Sequence, residues 1–169
     1  MAAGKSSNGS ATPPAADHAA GGELALDQTM TYRLHKLHKL SDRVSQQAYL
    51  RETGLGLSEA RCIGAIGAFA PLSNKDLAQR ANLDKAQASR ATQQLVSLEL
   101  VSKQASHSDG RGVELSLTRK GRAAWRRVMQ VIERRNNELL GVLTPAEQQQ
   151  LSRLFDRMIA HAEEQADQS

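Results

Sequence analysis

The stretch from Asn82 to Leu98 most constrains what this chain can fold into. Asp84 is followed three residues later by Gln87, which is the spacing of a capping box, so a helix is expected to begin at about Asp84. Apolar residues then recur at helical spacing and predict a face turned toward a core: Ala88, Ala91, Leu95 and Leu98.

The opposite face of this predicted helix is polar and free of acid. No Asp or Glu occurs between Lys85 and Leu98, and the face carries Arg90 among short polar groups and glutamines. Such side chains suit the edges of bases and the phosphates of a nucleic acid. A helix face that only meets solvent has the same composition. The neighbouring segments of the sequence are needed to distinguish a nucleic-acid-binding face from such a solvated one.

A second short helix is expected immediately before the first. Ser73 is a plausible N-cap, Leu77 and Ala81 face inward, and the helix ends by Asn82. Two short helices joined by a turn of three or four residues describe a helix-turn-helix.

A β-hairpin is predicted after the helix-turn-helix. Val113, Leu115 and Leu117 alternate with polar residues, which is the period of a half-buried strand, and residues 100–103 can supply its partner. Turn formers at 109–112 place Arg111 at the hairpin tip, where a narrow minor groove attracts arginine. A hairpin in this position makes the helix-turn-helix a winged one.

Long amphipathic helices are expected on both sides of this unit, and they carry more apolar surface than the unit could cover. Packing against a second copy is the economical solution, so we expect a homodimer. The predicted fold is mainly α with a small β-wing. Its parts are a disordered tail (1–22), an N-terminal dimerisation helix (23–53), the winged helix-turn-helix (54–118) and C-terminal dimerisation helices (119–166), in one integrated domain.

Composition narrows the class of protein. Aromatic residues make up 3% of the chain, the net charge is +4 and the pI is about 9.5, which favours a helical core and is compatible with a polyanionic partner. The single cysteine, Cys62, excludes an intramolecular disulfide framework. No apolar run approaches the roughly 20 residues of a membrane span, and no secretory signal is seen, so a cytoplasmic location is expected.

The order and spacing of these motifs resemble the MarR family of winged-helix transcriptional regulators over about residues 27–162. Leu83-Asp84-Lys85 with Ser89-Arg90 resembles that family's recognition helix, and Asp109-x-Arg111-x5-Leu117-Thr118-x-x-Gly121 resembles its wing signature. Glu99 stands where the family usually has a glycine. The resemblance implies a homodimer that binds double-stranded operator DNA and is often released by a small, frequently aromatic, acid.

On this resemblance two recognition helices occupy successive major grooves, roughly 34 Å apart. The expected contacts fall into three sets. Base edges are expected to meet Gln87, Ser89, Arg90 and Gln93; phosphates are expected to meet Asn74, Lys75, Lys85 and Lys103; the minor groove is expected to receive Arg111.

A ligand site is expected between the first two helices. His35 and His38 lie one turn apart on the first helix and Arg61 lies on the second, so that together they could hold a carboxylate. Ala60 stands where the family often has a large aromatic residue, and it could leave room for a ring. The alternative is that the histidines are half-exposed interface residues and that Arg61 is a structural ion-pair partner.

Other functions were weighed against a ligand-released repressor. A redox sensor through Cys62 needs an accessible thiol of low pKa, and a metal-responsive regulator through His35 and His38 lacks further ligands in sequence. A DNA binder without an effector and a non-specific architectural binder are further alternatives. An enzyme is not expected, because no nucleophile motif, phosphate-binding glycine loop or pair of catalytic acids is found; no cofactor or metal is expected either.

Overall fold

The structure is a computed structural model that describes residues 24–105 and 113–168. The predicted tail over residues 1–22 and the predicted wing tip, including Arg111, lie outside these residues. In chain order the described helices and strands are α1 (Met30–Thr53), α2 (Leu57–Phe69), α3 (Asn74–Arg80), α4 (Lys85–Ser97), β1 (Val101–Ala105), β2 (Val113–Leu117), α5 (Arg119–Leu140) and α6 (Pro145–Asp167).

The chain divides into two units after His35, within α1. In the described part of the first unit a single 3-10 turn, Leu26–Gln28, precedes α1. The Thr29 hydroxyl donates a hydrogen bond to the Leu26 carbonyl at 2.7 Å and closes this turn. The apolar periodicity of the sequence predicts a first helix over residues 27–52; the observed helix begins three residues later, at Met30, because the preceding residues form the tighter turn.

Helix α2 forms the centre of the second unit. It packs against α4 and α5, and Ile63 and Ile66 are fully buried in the apolar core. Ala60 is fully buried in the same core. Ala60 therefore has no exposed surface, and it does not line the cavity described below, so the expectation that it leaves room for a ring stays a prediction.

The wing base is an antiparallel pair in which Val101 faces Leu117 in the register, as the period-two pattern predicts. Leu72, in the turn before α3, adds a bridge to Leu115. The Leu115 N–H donates to the Leu72 carbonyl at 2.8 Å, and Leu115 is fully buried. This third partner ties the hairpin to the helix-turn-helix, and the sequence pattern did not predict it.

One residue of the predicted apolar face of α4 is exposed. Leu98 was expected to face the core with Leu95, but the helix ends at Ser97 and Leu98 is its C-cap. Glu99 then takes a left-handed conformation, with φ at +59°. This turn redirects the chain so that Leu100 is buried instead of Leu98.

Candidate nucleic-acid interface and ligand cavity

Helix α4 begins with the predicted capping box. The Gln87 N–H donates to the Asp84 carboxylate at 2.7 Å, and the Asp84 N–H donates to the Gln87 side-chain oxygen at 3.3 Å. These two bonds satisfy donors that a helix start leaves open, so the first turn of α4 is fixed in place. The Asp84 side chain is thereby used locally, and Gln87 is in part a capping residue rather than a free polar contact.

The buried face of α4 includes one polar residue. Ala88, Ala91 and Leu95 are buried as expected, and Thr92 is buried with them. The Thr92 hydroxyl donates to the Ala88 carbonyl at 2.7 Å, which satisfies the hydroxyl inside the helix and explains how a polar side chain is tolerated there. Sequence spacing alone gave no sign of this bond.

The opposite face of α4 is exposed along its whole length. Among the described residues, four side chains of this face form no hydrogen bond or ion pair with the rest of the chain: Lys85, Ser89, Arg90 and Gln93. No carboxylate is present on α4 to compete for their donors. The face therefore offers a set of unpaired donors around one guanidinium, next to the turn that joins α3 to α4.

The remaining predicted DNA contacts lie on two neighbouring elements. Asn74 and Lys75 are exposed in the first turn of α3, whose N-cap Ser73 accepts a hydrogen bond from the Asp76 N–H at 3.1 Å. Lys103 is exposed on β1. Arg111 lies outside the described residues, so its role stays a prediction.

The start of α5 braces the end of α4. The Thr118 hydroxyl donates to the Glu99 carbonyl at 2.7 Å, and Lys120 donates to the Leu98 carbonyl at 2.9 Å. Thr118 is also the N-cap of α5, since its hydroxyl accepts from the Gly121 N–H at 2.9 Å. These residues support the end of α4 without lying on its exposed polar face. The Leu117-Thr118-x-x-Gly121 pattern was their signal in the sequence.

Of the three predicted ligand residues, the structure gathers two around one aspartate. The carboxylate of Asp42 lies 2.5 Å from the Arg61 guanidinium and 3.3 Å from the imidazole of His38. His38 is largely exposed, as is His35, which belongs to the other unit of the chain. Arg61 is therefore engaged in an ion pair.

A cavity of about 230 Å³ opens beside this ion pair, between α1, α2 and α5. Burial raises the pKa of the Tyr49 hydroxyl, against the opposing effect of the Arg61 charge. Sequence reasoning identified only Arg61 here, because the other lining residues come from distant elements: Ser41, Asp42, Ser45, Tyr49, Leu57, Ile132, Arg135, Asn136 and Leu139.

Cys62 is fully buried in α2. Burial, with a smaller contribution from the negative charge of Glu59, raises the pKa of the Cys62 thiol to about 12. The thiolate is the reactive form of cysteine, so this environment disfavours the redox-sensor alternative.

Within residues 24–105 and 113–168, no group of three His, Cys, Asp or Glu side chains is arranged to hold a metal ion. None of the helices in the described part of the chain has the length and apolarity needed to cross a membrane.

Comparisons with known proteins agree with this architecture. Residues 53–112 match the sequence model of the MarR family. The chain is 27% identical over 135 residues to the HTH-type transcriptional repressor Rv2887 of Mycobacterium tuberculosis, which covers 80% of this chain and 96% of the repressor.

Solved structures extend the match to the fold. A MarR/EmrR family transcriptional regulator from Acinetobacter sp. ADP1 has a TM-score of 0.75 at 23% identity, over 83% of this chain and 99% of that one. The structure of Rv2887 in complex with salicylic acid has a TM-score of 0.65 at 26% identity, over 78% of this chain and 97% of that one. The segment that matches the MarR family model thus holds the helix-turn-helix and the first strand of the wing, and the chain shares its fold with regulators of that family over nearly their full length.

Proposed function

We propose that the protein is a homodimeric repressor that binds a specific operator and releases it when a small aromatic acid binds. The observation that carries the DNA-binding part is the exposed face of α4, whose donors have no partner within the described chain and no competing acid. A helix of this kind, fixed by a capping box at its N-terminus, can enter a major groove with its first turns against base edges.

The proposed DNA contacts of individual residues follow from where each residue lies in the winged helix-turn-helix, residues 54–118. Arg90, Ser89 and Gln93 lie on the exposed face of α4 and are proposed to meet bases. Lys85, Asn74, Lys75 and Lys103 are proposed to meet phosphates, and Arg111 the minor groove. Gln87 is proposed as a weaker base contact, because its side-chain oxygen already accepts the Asp84 N–H.

The proposed dimer rests on apolar surface that this chain leaves uncovered. Helix α6 has no buried residue, and Leu154, Met158 and Ile159 are all exposed on it. Helix α1 likewise exposes Leu40 and Leu50. Exposed apolar residues that recur along a helix favour an association site, and a second copy with the same helices would cover them. On this proposal residues 23–53 and 119–166 supply the dimerisation helices.

The effector part draws on the relative solved with salicylic acid and on the cavity between α1, α2 and α5. At about 230 Å³ the cavity is smaller than the roughly 300–1,000 Å³ of sites for drug-sized ligands. A single-ring acid is the class of ligand that suits it. His38 reaches the cavity through Asp42, so a histidine contribution would be indirect.

The DNA-binding proposal is tested by selecting genomic fragments that the protein retains and measuring affinity for the selected site and its variants. Arg90→Ala should weaken operator binding by about tenfold, since an arginine–base contact is worth roughly 1–3 kcal/mol, and should relax discrimination at one base position. Arg126→Ala, at an exposed arginine of α5, is the matched control and should leave discrimination unchanged. Equal affinity for the selected site and for random duplex would contradict the proposal and favour an architectural binder.

The effector proposal is tested separately by titrating salicylate into the preformed complex with DNA. Release requires that the ligand bind the DNA-free arrangement more tightly, so DNA must weaken salicylate binding by the same factor. Operator affinity that no single-ring acid changes would favour the alternative of a DNA binder without an effector.

A further inference from the structure

Two arginines face the cavity between α1, α2 and α5, and each is held by a carboxylate of the protein. Arg61 pairs with Asp42 at 2.5 Å. Arg135 pairs through one terminal nitrogen with Glu138, which also lies 3.5 Å from Nε of Arg134. Glu138 is thus shared by Arg134 and Arg135, and Asp42 is likewise shared by Arg61 and His38.

Arg61 and Arg135 differ in the hydrogen-bond donors that remain without a partner. Nε of Arg135 is buried and has no hydrogen-bond partner among the described residues. The Arg135 side chain is 17% exposed, compared with 24% for Arg61. A buried donor without an acceptor is costly, and an arriving anion would relieve that cost.

The charges lining the cavity leave one positive charge. Arg61 and Arg135 contribute two, and Asp42 removes one. Glu138 does not line the cavity, and it is nearly half exposed, so its hold on Arg135 is weakened by solvent. The rest of the lining combines apolar, hydroxyl and amide side chains: Leu57, Ile132, Leu139, Ser41, Ser45, Tyr49 and Asn136.

We infer that Arg135 binds the carboxylate of the effector. Asp42 occupies the Arg61 guanidinium and thereby prevents Arg61 from binding a second carboxylate of a ligand. The cavity therefore selects single-ring monocarboxylates over dicarboxylates. This inference rests on the proposed effector function and adds the residues that set its specificity. The Arg135 side chain lines the cavity, and the bidentate geometry of a guanidinium with a carboxylate suits this contact.

The test is calorimetry with three probes, benzoate, phthalate and benzamide, on the full-length protein. Wild type should bind benzoate more tightly than either of the others. Arg135→Gln should weaken benzoate binding by at least about tenfold and leave benzamide binding unchanged, because a hydrogen bond to a charged group is lost. Arg134→Gln is the matched control: it alters the neighbouring arginine, whose guanidinium binds Glu52 and does not line the cavity.

Asp42→Asn tests the competitor role. Freeing Arg61 should raise the affinity for phthalate relative to benzoate by about tenfold, since a second charged hydrogen bond becomes possible. A merely structural role for Asp42 would lower the affinity for both acids equally and would overturn this part of the inference.

A measurement on the wild type guards against variants that do not fold. Benzoate should shift the Nε–H resonance of Arg135 in side-chain NMR spectra. Benzoate binding that leaves this resonance unmoved, or that Arg135→Gln retains at full affinity, would overturn the inference while the effector proposal stands. Failure of all single-ring acids to bind wild type would overturn both.

Discussion

Gly121 lies where three elements meet, and its replacement gives a worked prediction. A Cβ at this position would lie 1.9 Å from the carbonyl oxygen of Leu100 and 2.9 Å from its carbonyl carbon. That oxygen already accepts the Thr118 N–H at 3.1 Å. The clash is with backbone, so Gly121→Ala must move the start of α5 away from the end of α4.

The magnitude follows from two opposing effects. Alanine in a helix interior is favoured over glycine by about 1 kcal/mol. Overpacking against a fixed backbone costs typically 1–3 kcal/mol and here falls at the upper end or beyond, because no side-chain rotation can relieve it. We expect a net loss of about 2 kcal/mol, which corresponds to a fall in midpoint temperature of roughly 4–8 °C for a chain of this size.

Gly64→Ala is the matched control, because Gly64 is also helical and its Cβ would lie 3.8 Å from the Ile132 side chain, an ordinary contact. It should stabilise by about 0.5–1 kcal/mol. Urea unfolding at one fixed protein concentration measures both variants, since association would otherwise shift the midpoint. If Gly121→Ala were as stable as wild type, the close approach of α5 to Leu100 would not exist and the reasoning would fail.

Four further outcomes are expected. Ile159→Asp should convert the dimer to monomer in light scattering, because a charge would enter the proposed apolar interface; an unchanged dimer would place that interface elsewhere. Cys62 should react with a thiol reagent only as the protein unfolds, and rapid labelling of native protein would contradict its burial. Asp84→Ala should cost about 1 kcal/mol in unfolding free energy and weaken operator binding through a frayed α4, which unfolding and DNA titrations would measure. The Arg134 guanidinium holds the pKa of Glu52 below its usual value. The stability that this pair adds is therefore present above the pKa of Glu52 in the unfolded state, and it is lost as the pH falls through the pKa in the folded state. Urea titrations at pH 7 and pH 4 should show a smaller loss of stability at acid pH for Glu52→Gln than for wild type.

The sequence by itself determined the features whose causes are local. The caps at Ser73, Asp84, Thr118 and Thr144 are all present, because each bond joins residues three apart and needs no other part of the chain. The apolar residues between Gly56 and Pro71 predict a helix over residues 57–69, and α2 has these bounds. The alternation through β2 predicted the base of the wing.

The polar face of α4 was predictable for a similar reason. Its composition follows from helical spacing alone, so the exposure of Ser89, Arg90 and Gln93 could be read from the sequence. Helical spacing could not show where the buried apolar face of α4 ends. Leu98 falls at an apolar position, but the left-handed turn at Glu99 transfers burial to Leu100.

Tertiary structure alone decided the cavity between α1, α2 and α5. Asp42, Arg61 and Arg135 come from three helices that no local pattern relates, and their partners depend on how those helices pack. For the same reason the burial of Ala60 in the core, away from the residues that line this cavity, could not be read from the sequence. Local bonds fix where helices begin, whereas the pairing of buried charges is set by distances between helices, and these arise only when the core has formed.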